Sequence, residues 1–350
     1  MSRQLIINNI LVNDDSDCFV IAEIGHNHQG DLEKCKQLFK AAKDCGATAV
    51  KLQKRDNRTL YTRAMYDKPY ENDNSFGATY GEHREFLEFG RDQYRELQAY
   101  CKEIGVTFFS TAFDIPSADF LADLDMPAFK IASGDLKSTP LLKHVAKLGK
   151  PIILSTGGGT MDDICRAVDA ILPYNTQLAI LQCTATYPTE PTDMHLNVIP
   201  TLRQQFPDFV IGLSDHYNGI ALAPVAYVLG ARILEKHFTL NHTWRGSDHA
   251  LSLEPIGMSK MVRDLHRTRE ALGSSAKQQL PQEASAILKM GKTLVAAHAV
   301  PSGHVLTAAD VAMKSPGGSG LPPYEWDNVI GKTTRRELAE DEQITFADLV

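Results

Sequence analysis

The chain has 350 residues, enough for one barrel-sized domain plus a small extra module. Its hydrophobic fraction of 43% is that of a globular protein with a real core, and no apolar run reaches the length of a membrane span. A net charge of −7 argues against a nucleic-acid partner but leaves room for a local basic pocket.

Residues 1–18 read as a short lead-in, a hairpin closing the floor of the main domain. The opening MSRQLIINNILVNDDSD follows no signal-peptide plan. The six cysteines, Cys18, Cys35, Cys45, Cys101, Cys165 and Cys183, are scattered without a CxxC pair. Reduced thiols and a cytoplasmic location are the expectation.

Eight short apolar runs then recur: Phe19–Gly25, Thr48–Gln53, Val106–Phe113, Ala128–Ser133, Pro151–Gly157, Leu178–Cys183, Val210–Asp215 and Ile233–Phe238. Amphipathic stretches of helical length separate most neighbours. Among them, 31–45 ends at Gly46, 92–104 ends at Gly105, Thr160 caps the helix after it, and Pro255 opens a long last helix to 272. Buried-type strands alternating with helices predict an α/β fold, a (β/α)₈ barrel over residues 1–273, with its site at the strand C-termini. Glu23, Lys51, Gln53, Thr111, Lys130, Ser133, Ser155, Asp215, His216 and His237 all fall at those ends. Residues 54–91 form an unusually long connection there, which predicts a lid. After Gly273 the texture changes. A linker over 274–290 leads to a small, loop-rich, β-containing domain over 291–350, with short strands predicted at 293–297, 305–307 and 343–346.

The residue types at the strand ends define chemistry. His216 and His237 end neighbouring strands, with Asp215 and Glu235 beside them, and suit a divalent transition metal with open positions. Lys51 and Lys130 interrupt apolar runs, and a lysine facing a barrel mouth calls for an anion. With the hydroxyls of Thr111, Ser133 and Ser155 they form a site for phosphate or carboxylate. A Schiff-base lysine is the other functional reading. Glu23 is a candidate acid or base, Gly157–Gly159 offer amides to an anion, and Asp248 is placed to bind polyol hydroxyls.

The strings AEIGHNHQGD, KLQK, STAFD, KIASGD, ILSTGGG, QCTATYP, GLSDH, EKHFTL and GSDHALSLEP run through the barrel in order and resemble the sialic acid synthase family of nonulosonate synthases. TYGEHREFLEF followed by DQYREL looks like the branch that includes animal N-acylneuraminate-9-phosphate synthases. The tail from Lys292 resembles the family's antifreeze-like (SAF) domain. The resemblance implies condensation of phosphoenolpyruvate with the aldehyde of an N-acylmannosamine-like sugar to a nine-carbon 3-deoxy-2-keto acid. It implies a divalent metal, commonly manganese with magnesium or cobalt as alternatives, and a domain-swapped homodimer. Carried onto this sequence, it makes Glu23 catalytic and His216 and His237 the metal ligands. Lys51, Gln53, Thr111, Lys130, Ser133, Ser155 and Ser214 fall to substrate binding, with Tyr187 and Asp248 on the sugar. The chain departs from the family pattern at Ala185, where Asn is common, and at Ser315, where Arg is common, which leaves the sugar and its phosphorylation open. Another phosphoenolpyruvate-dependent 3-deoxy-ulosonate synthase and a non-catalytic sugar-binding protein are the alternatives.

Overall fold

Eight parallel strands close on themselves in the computed structural model, which describes residues 3–350. An antiparallel pair, β1 (Gln4–Ile7) and β2 (Ile10–Asn13), comes first. The barrel strands are β3 (Phe19–Gly25), β4 (Ala49–Lys54), β5 (Thr107–Ala112), β6 (Phe129–Ile131), β7 (Ile152–Ser155), β8 (Leu178–Cys183), β9 (Val210–Asp215) and β10 (Ile233–His237). They pair in chain order, and β10 returns to β3. Every predicted barrel strand is present.

Strand alternation splits the core into two layers. Outward residues such as Val20, Ala22, Val50, Leu52, Ile180 and Leu234 pack under the helices. Inward residues Phe19, Ile21, Ala49, Phe109, Ile153, Leu181 and Ile233 fill the barrel with Leu5, Ile7 and Val12 of the hairpin, which stoppers the floor. The helices obey their sequence signals. Asp31 caps Leu32–Asp44 by accepting from Lys34 N, and Thr160 forms a capping box with Asp163 at the head of Met161–Ile171. Gly105 ends Arg91–Ile104 in the left-handed region at φ 68°, where a side chain is disfavoured. Pro255–Leu272 is helical as predicted.

The long 54–91 connection is not structureless. It holds three short helices, Asn57–Leu60, Arg63–Tyr66 and Tyr80–Phe86.

The chain divides into two compact units, Met1–Gly273 and Ser274–Val350. In the second, β11 (Thr293–Ala296) pairs antiparallel with β12 (Val311–Lys314) over a core of Leu294, Val300, Leu306, Leu338 and Ile344. Three expectations need correction here. The stretch read as linker contains the helix Ala284–Met290. The strands expected at 305–307 and 343–346 are single bridges, Val305 to Thr333 and Gln343 to Val295. The true partner strand, Val311–Lys314, carries only one buried side chain, so its apolar pattern is too weak to read. Among the described residues no helix is long and apolar enough to cross a membrane.

Candidate active site

Along every barrel strand but β8 the inward positions change from apolar to polar toward the C-terminus. Phe19 and Ile21 lead to Glu23; Ala49 leads to Lys51 and Gln53; Phe109 to Thr111; Ile153 to Ser155; Ile233 to Glu235 and His237. The polar ends surround a cavity of about 380 Å³. All twelve residues expected to act on substrate or metal, Glu23, Lys51, Gln53, Thr111, Lys130, Ser133, Ser155, Tyr187, Ser214, His216, His237 and Asp248, line it. Ala185 lines it too, whereas Ser315 belongs to the second unit, its hydroxyl 3.4 Å from the Met290 carbonyl.

Two buried lysines face the cavity, each only 2% exposed. Lys51 Nζ lies 2.7 Å from Glu23 Oε2 and donates to Thr111 Oγ1 at 2.6 Å. Lys130 Nζ donates to Ser155 Oγ at 2.7 Å and to the Ile131 carbonyl at 2.9 Å. Glu235 lies between them, 3.9 Å from Lys51 and 3.8 Å from Lys130. Burial would raise the Glu235 carboxyl, but Lys130 and Lys51 outweigh it and hold the group below its ordinary range. Burial lowers Lys130. Glu23 is raised by burial, which the Lys51 ammonium offsets only in part. Its other oxygen accepts from Gln53 Nε2 at 2.7 Å. The β3–β4 register shifts between Glu23 and Gly25. Gly25 has φ +52°, and a Cβ there would lie 3.2 Å from Gln53 Nε2.

The hydroxyl of Ser133 accepts from Gly157 N at 2.9 Å and donates to Cys183 Sγ at 3.3 Å. A side chain at Gly157 would meet Ser133 Oγ at 2.8 Å, so this turn needs glycine for close approach.

The two histidines meet across β9 and β10, ring centroids 5.5 Å apart. His216 Nδ1 donates to the Thr184 carbonyl at 3.0 Å, which leaves the Nε2 lone pair free. His237 Nδ1 is buried without a hydrogen-bond partner, 3.9 Å from Asp248. Burial lowers its pKa, which the Asp248 carboxylate offsets only in part. Among the described residues no cluster of three or more His, Cys, Asp or Glu could enclose a metal. Two imidazoles, one with its Nδ1 engaged by a carbonyl and one with an orphaned nitrogen, fit a divalent ion whose remaining ligands are water or substrate. Tyr187 packs against this pair, its ring 4.1 Å from that of His216 at a 36° tilt and edge-on to that of His237 at 6.1 Å.

Asp215 is a correction. It follows Ser214 on β9, so alternation turns it out of the barrel mouth. There it forms a buried pair with Lys236, 2.8 Å away, and accepts from Tyr217 N at 2.8 Å. Lys236 also donates to the Tyr217 carbonyl. This pair braces the strands that carry His216 and His237.

Sequence reasoning missed Arg55 and Arg84, which also line the cavity. Both come from the 54–91 connection, where no periodicity tells which side chains turn inward.

The chain matches the NeuB family model over residues 38–277 and the SAF domain model over residues 291–350. The N-acetylneuraminate-9-phosphate synthase of Homo sapiens is 42% identical over 327 residues, 93% of this chain and 91% of that one. An N,N'-diacetyllegionaminic acid synthase of Legionella pneumophila is 32% identical over 328 residues, 92% of each chain. The crystal structure of N-acetylneuraminic acid synthetase from Leptospira borgpetersenii, in complex with citrate, matches with TM-score 0.72 at 30% identity, over 82% of this chain and 96% of that one. A barrel with this mouth, matched over more than half its length, belongs to the NeuB family, and residues 291–350 are a SAF domain.

Proposed function

We propose that this chain is a nonulosonate synthase. It condenses phosphoenolpyruvate with the open-chain aldehyde of an N-acylmannosamine-like sugar, or of its 6-phosphate, to a nine-carbon 3-deoxy-2-keto acid and phosphate. The observation that carries the reading is the placement of two buried ammonium groups, Lys51 and Lys130, in one cavity with Thr111, Ser155, Ser133 and Ser214. Phosphoenolpyruvate offers a carboxylate and a phosphate ester, which is what such a cluster of cations and hydroxyls binds. Family membership, and relatives whose names are those of sialic and legionaminic acid synthases, support the same chemistry.

Bond making and bond breaking balance. The C2=C3 electron pair of phosphoenolpyruvate forms a bond to the aldehyde carbon, whose oxygen takes a proton. C2 is left electron-poor. Water adds there and loses a proton. The C2–O bond then breaks, phosphate leaves with the former enol oxygen, and the ketone remains. Glu23, held at both oxygens by Lys51 and Gln53, is the residue to stabilise positive charge at C2 or to receive the proton of the incoming water. Tyr187 and Asp248 hold the sugar.

His216 and His237 would hold a divalent metal, manganese first, with magnesium or cobalt as alternatives. When bound, it supplies Lewis acidity toward the sugar carbonyl. The homodimer that the family resemblance implies, and a cytoplasmic location, belong to the same proposal. The mass of the protein in solution tests the former, and cell fractionation the latter.

The experiment is direct. The protein is incubated with phosphoenolpyruvate, manganese and either N-acetylmannosamine or its 6-phosphate. Phosphate and a nine-carbon keto acid are expected in equal amounts. Phosphate release without sugar, or none with any N-acylated hexosamine, overturns the reading.

A further inference from the structure

Arg55 and Arg84 are cations that the condensation chemistry does not use. Arg55 is only 7% exposed, and its guanidinium donates to Gln53 Oε1 at 2.6 Å and stacks on the Phe113 ring at 3.7 Å. Arg84 donates to Tyr80 OH through Nη2 at 2.8 Å. Neither forms an ion pair with a carboxylate among the described residues. The nearest acidic groups are engaged elsewhere or lie farther off. Glu88 pairs with Lys54 at 2.9 Å and its other oxygen lies 3.6 Å from His26, so it acts on Arg55 without touching its guanidinium, while Asp135 and Asp248 act on the arginines only at longer range.

One imidazole lies between the two guanidiniums. Arg55 Nη1 is 3.3 Å from His26 Nε2, and Arg84 Nη1 is 3.2 Å from His26 Nδ1. A neutral imidazole has one lone pair, so it accepts from one arginine and leaves the other facing a donor. Two guanidiniums thus converge on one cavity with no carboxylate in contact with either among the described residues. Burying such charge is costly unless an anion completes the set.

Their position says which anion. Lys51 and Lys130 lie within β4 and β6, deep in the mouth and already opposed by Glu23 and Glu235. Arg55 follows the end of β4, and Arg84 sits on the Tyr80–Phe86 helix of the long connection, both beyond the strand ends. A sugar whose aldehyde reaches His216 and His237 directs its other end outward, toward this rim. Guanidinium forks match a phosphate ester better than they match a hydroxyl.

We propose that Arg55 and Arg84 form a second anion subsite, which takes the terminal phosphate of the acceptor, so that the enzyme uses an N-acylhexosamine phosphate in preference to the free sugar. This rests on the proposed synthase activity.

The test measures kcat/KM for N-acetylmannosamine 6-phosphate and for N-acetylmannosamine, and KM for phosphoenolpyruvate, in the full chain and in Arg55→Gln, Arg84→Gln, Arg55→Lys and Arg84→Lys, with folding checked by circular dichroism. The wild type is expected to prefer the phosphorylated acceptor. Each Gln variant should lower that preference roughly 10- to 100-fold, the loss of a charged hydrogen bond, and the Lys variants by less. A merely structural role in holding the loop would lower both acceptors alike and leave the preference intact, which overturns the inference. So would a wild type that prefers the free sugar, or variants whose defect is confined to the KM of phosphoenolpyruvate. If no sugar yields a condensation product, the synthase reading itself falls, and this inference falls with it.

Discussion

The two halves of the barrel interior are equally buried and chemically opposite. At the floor, Phe19, Ile21, Phe109, Ile153 and Ile233 pack against each other and the hairpin. At the mouth, the same strands present Glu23, Thr111, Ser155, Glu235 and His237. Apolar burial stabilises the first half. The second half carries desolvated charge, Lys51 against Glu23 and Lys130 near Glu235, whose burial costs stability even when paired and is explained by what it binds. The contrast teaches that stability and chemistry are separated along the strand axis, a few residues apart on one strand. A substitution should therefore damage one and spare the other.

The largest effect belongs to the mouth. Glu23→Gln keeps the side-chain volume but removes a partner of Lys51, which Glu235 still faces at 3.9 Å; it should lower kcat roughly 10²- to 10⁴-fold, a loss in the folded enzyme far beyond what its lowered thermal midpoint accounts for. Steady-state kinetics with parallel thermal melts decides it. An active variant would remove Glu23 from the mechanism. At the floor the opposite is expected. Phe109→Ala should cost about 3–5 kcal/mol of stability, read from urea unfolding, with the folded fraction retaining turnover. If catalysis collapsed with stability intact, the separation would be wrong.

A third substitution sharpens the boundary between the halves. Lys236→Met strands the buried Asp215 carboxylate behind the histidine strands. A loss of about 3 kcal/mol is expected and, if His216 and His237 hold a metal as proposed, weaker manganese binding measured by titration calorimetry. Unchanged metal affinity would show that the pair does not position His216 and His237. The smallest effect lies outside the barrel interior. Thr160→Ala removes the cap of the Met161–Ile171 helix and should cost about 1 kcal/mol in urea unfolding with turnover unchanged.

Much of this was legible in the sequence because strand alternation has a fixed period. Lys51 and Lys130 interrupt apolar runs at inward positions, and the barrel rule alone brings them to one end. The same period shows why Asp215 misled. It adjoins His216 in sequence, yet neighbouring residues on a strand face opposite sides. Arg55 and Arg84 were illegible for another reason. Their convergence on His26 depends on the path of a long connection built from three short helices, and no local pattern encodes that path. In the second unit, β12 buries one side chain of four, too little to distinguish it from loop.

The central claim is that the mouth carries out addition at C2 of phosphoenolpyruvate, and oxygen labelling tests it most directly. Phosphoenolpyruvate carrying ¹⁸O at the bridging position is turned over with an N-acylated mannosamine or its 6-phosphate, and both products are weighed by mass spectrometry. The label should appear in the released phosphate, with a solvent oxygen at the ketone. Label retained in the keto acid, or phosphate released without sugar, would contradict it.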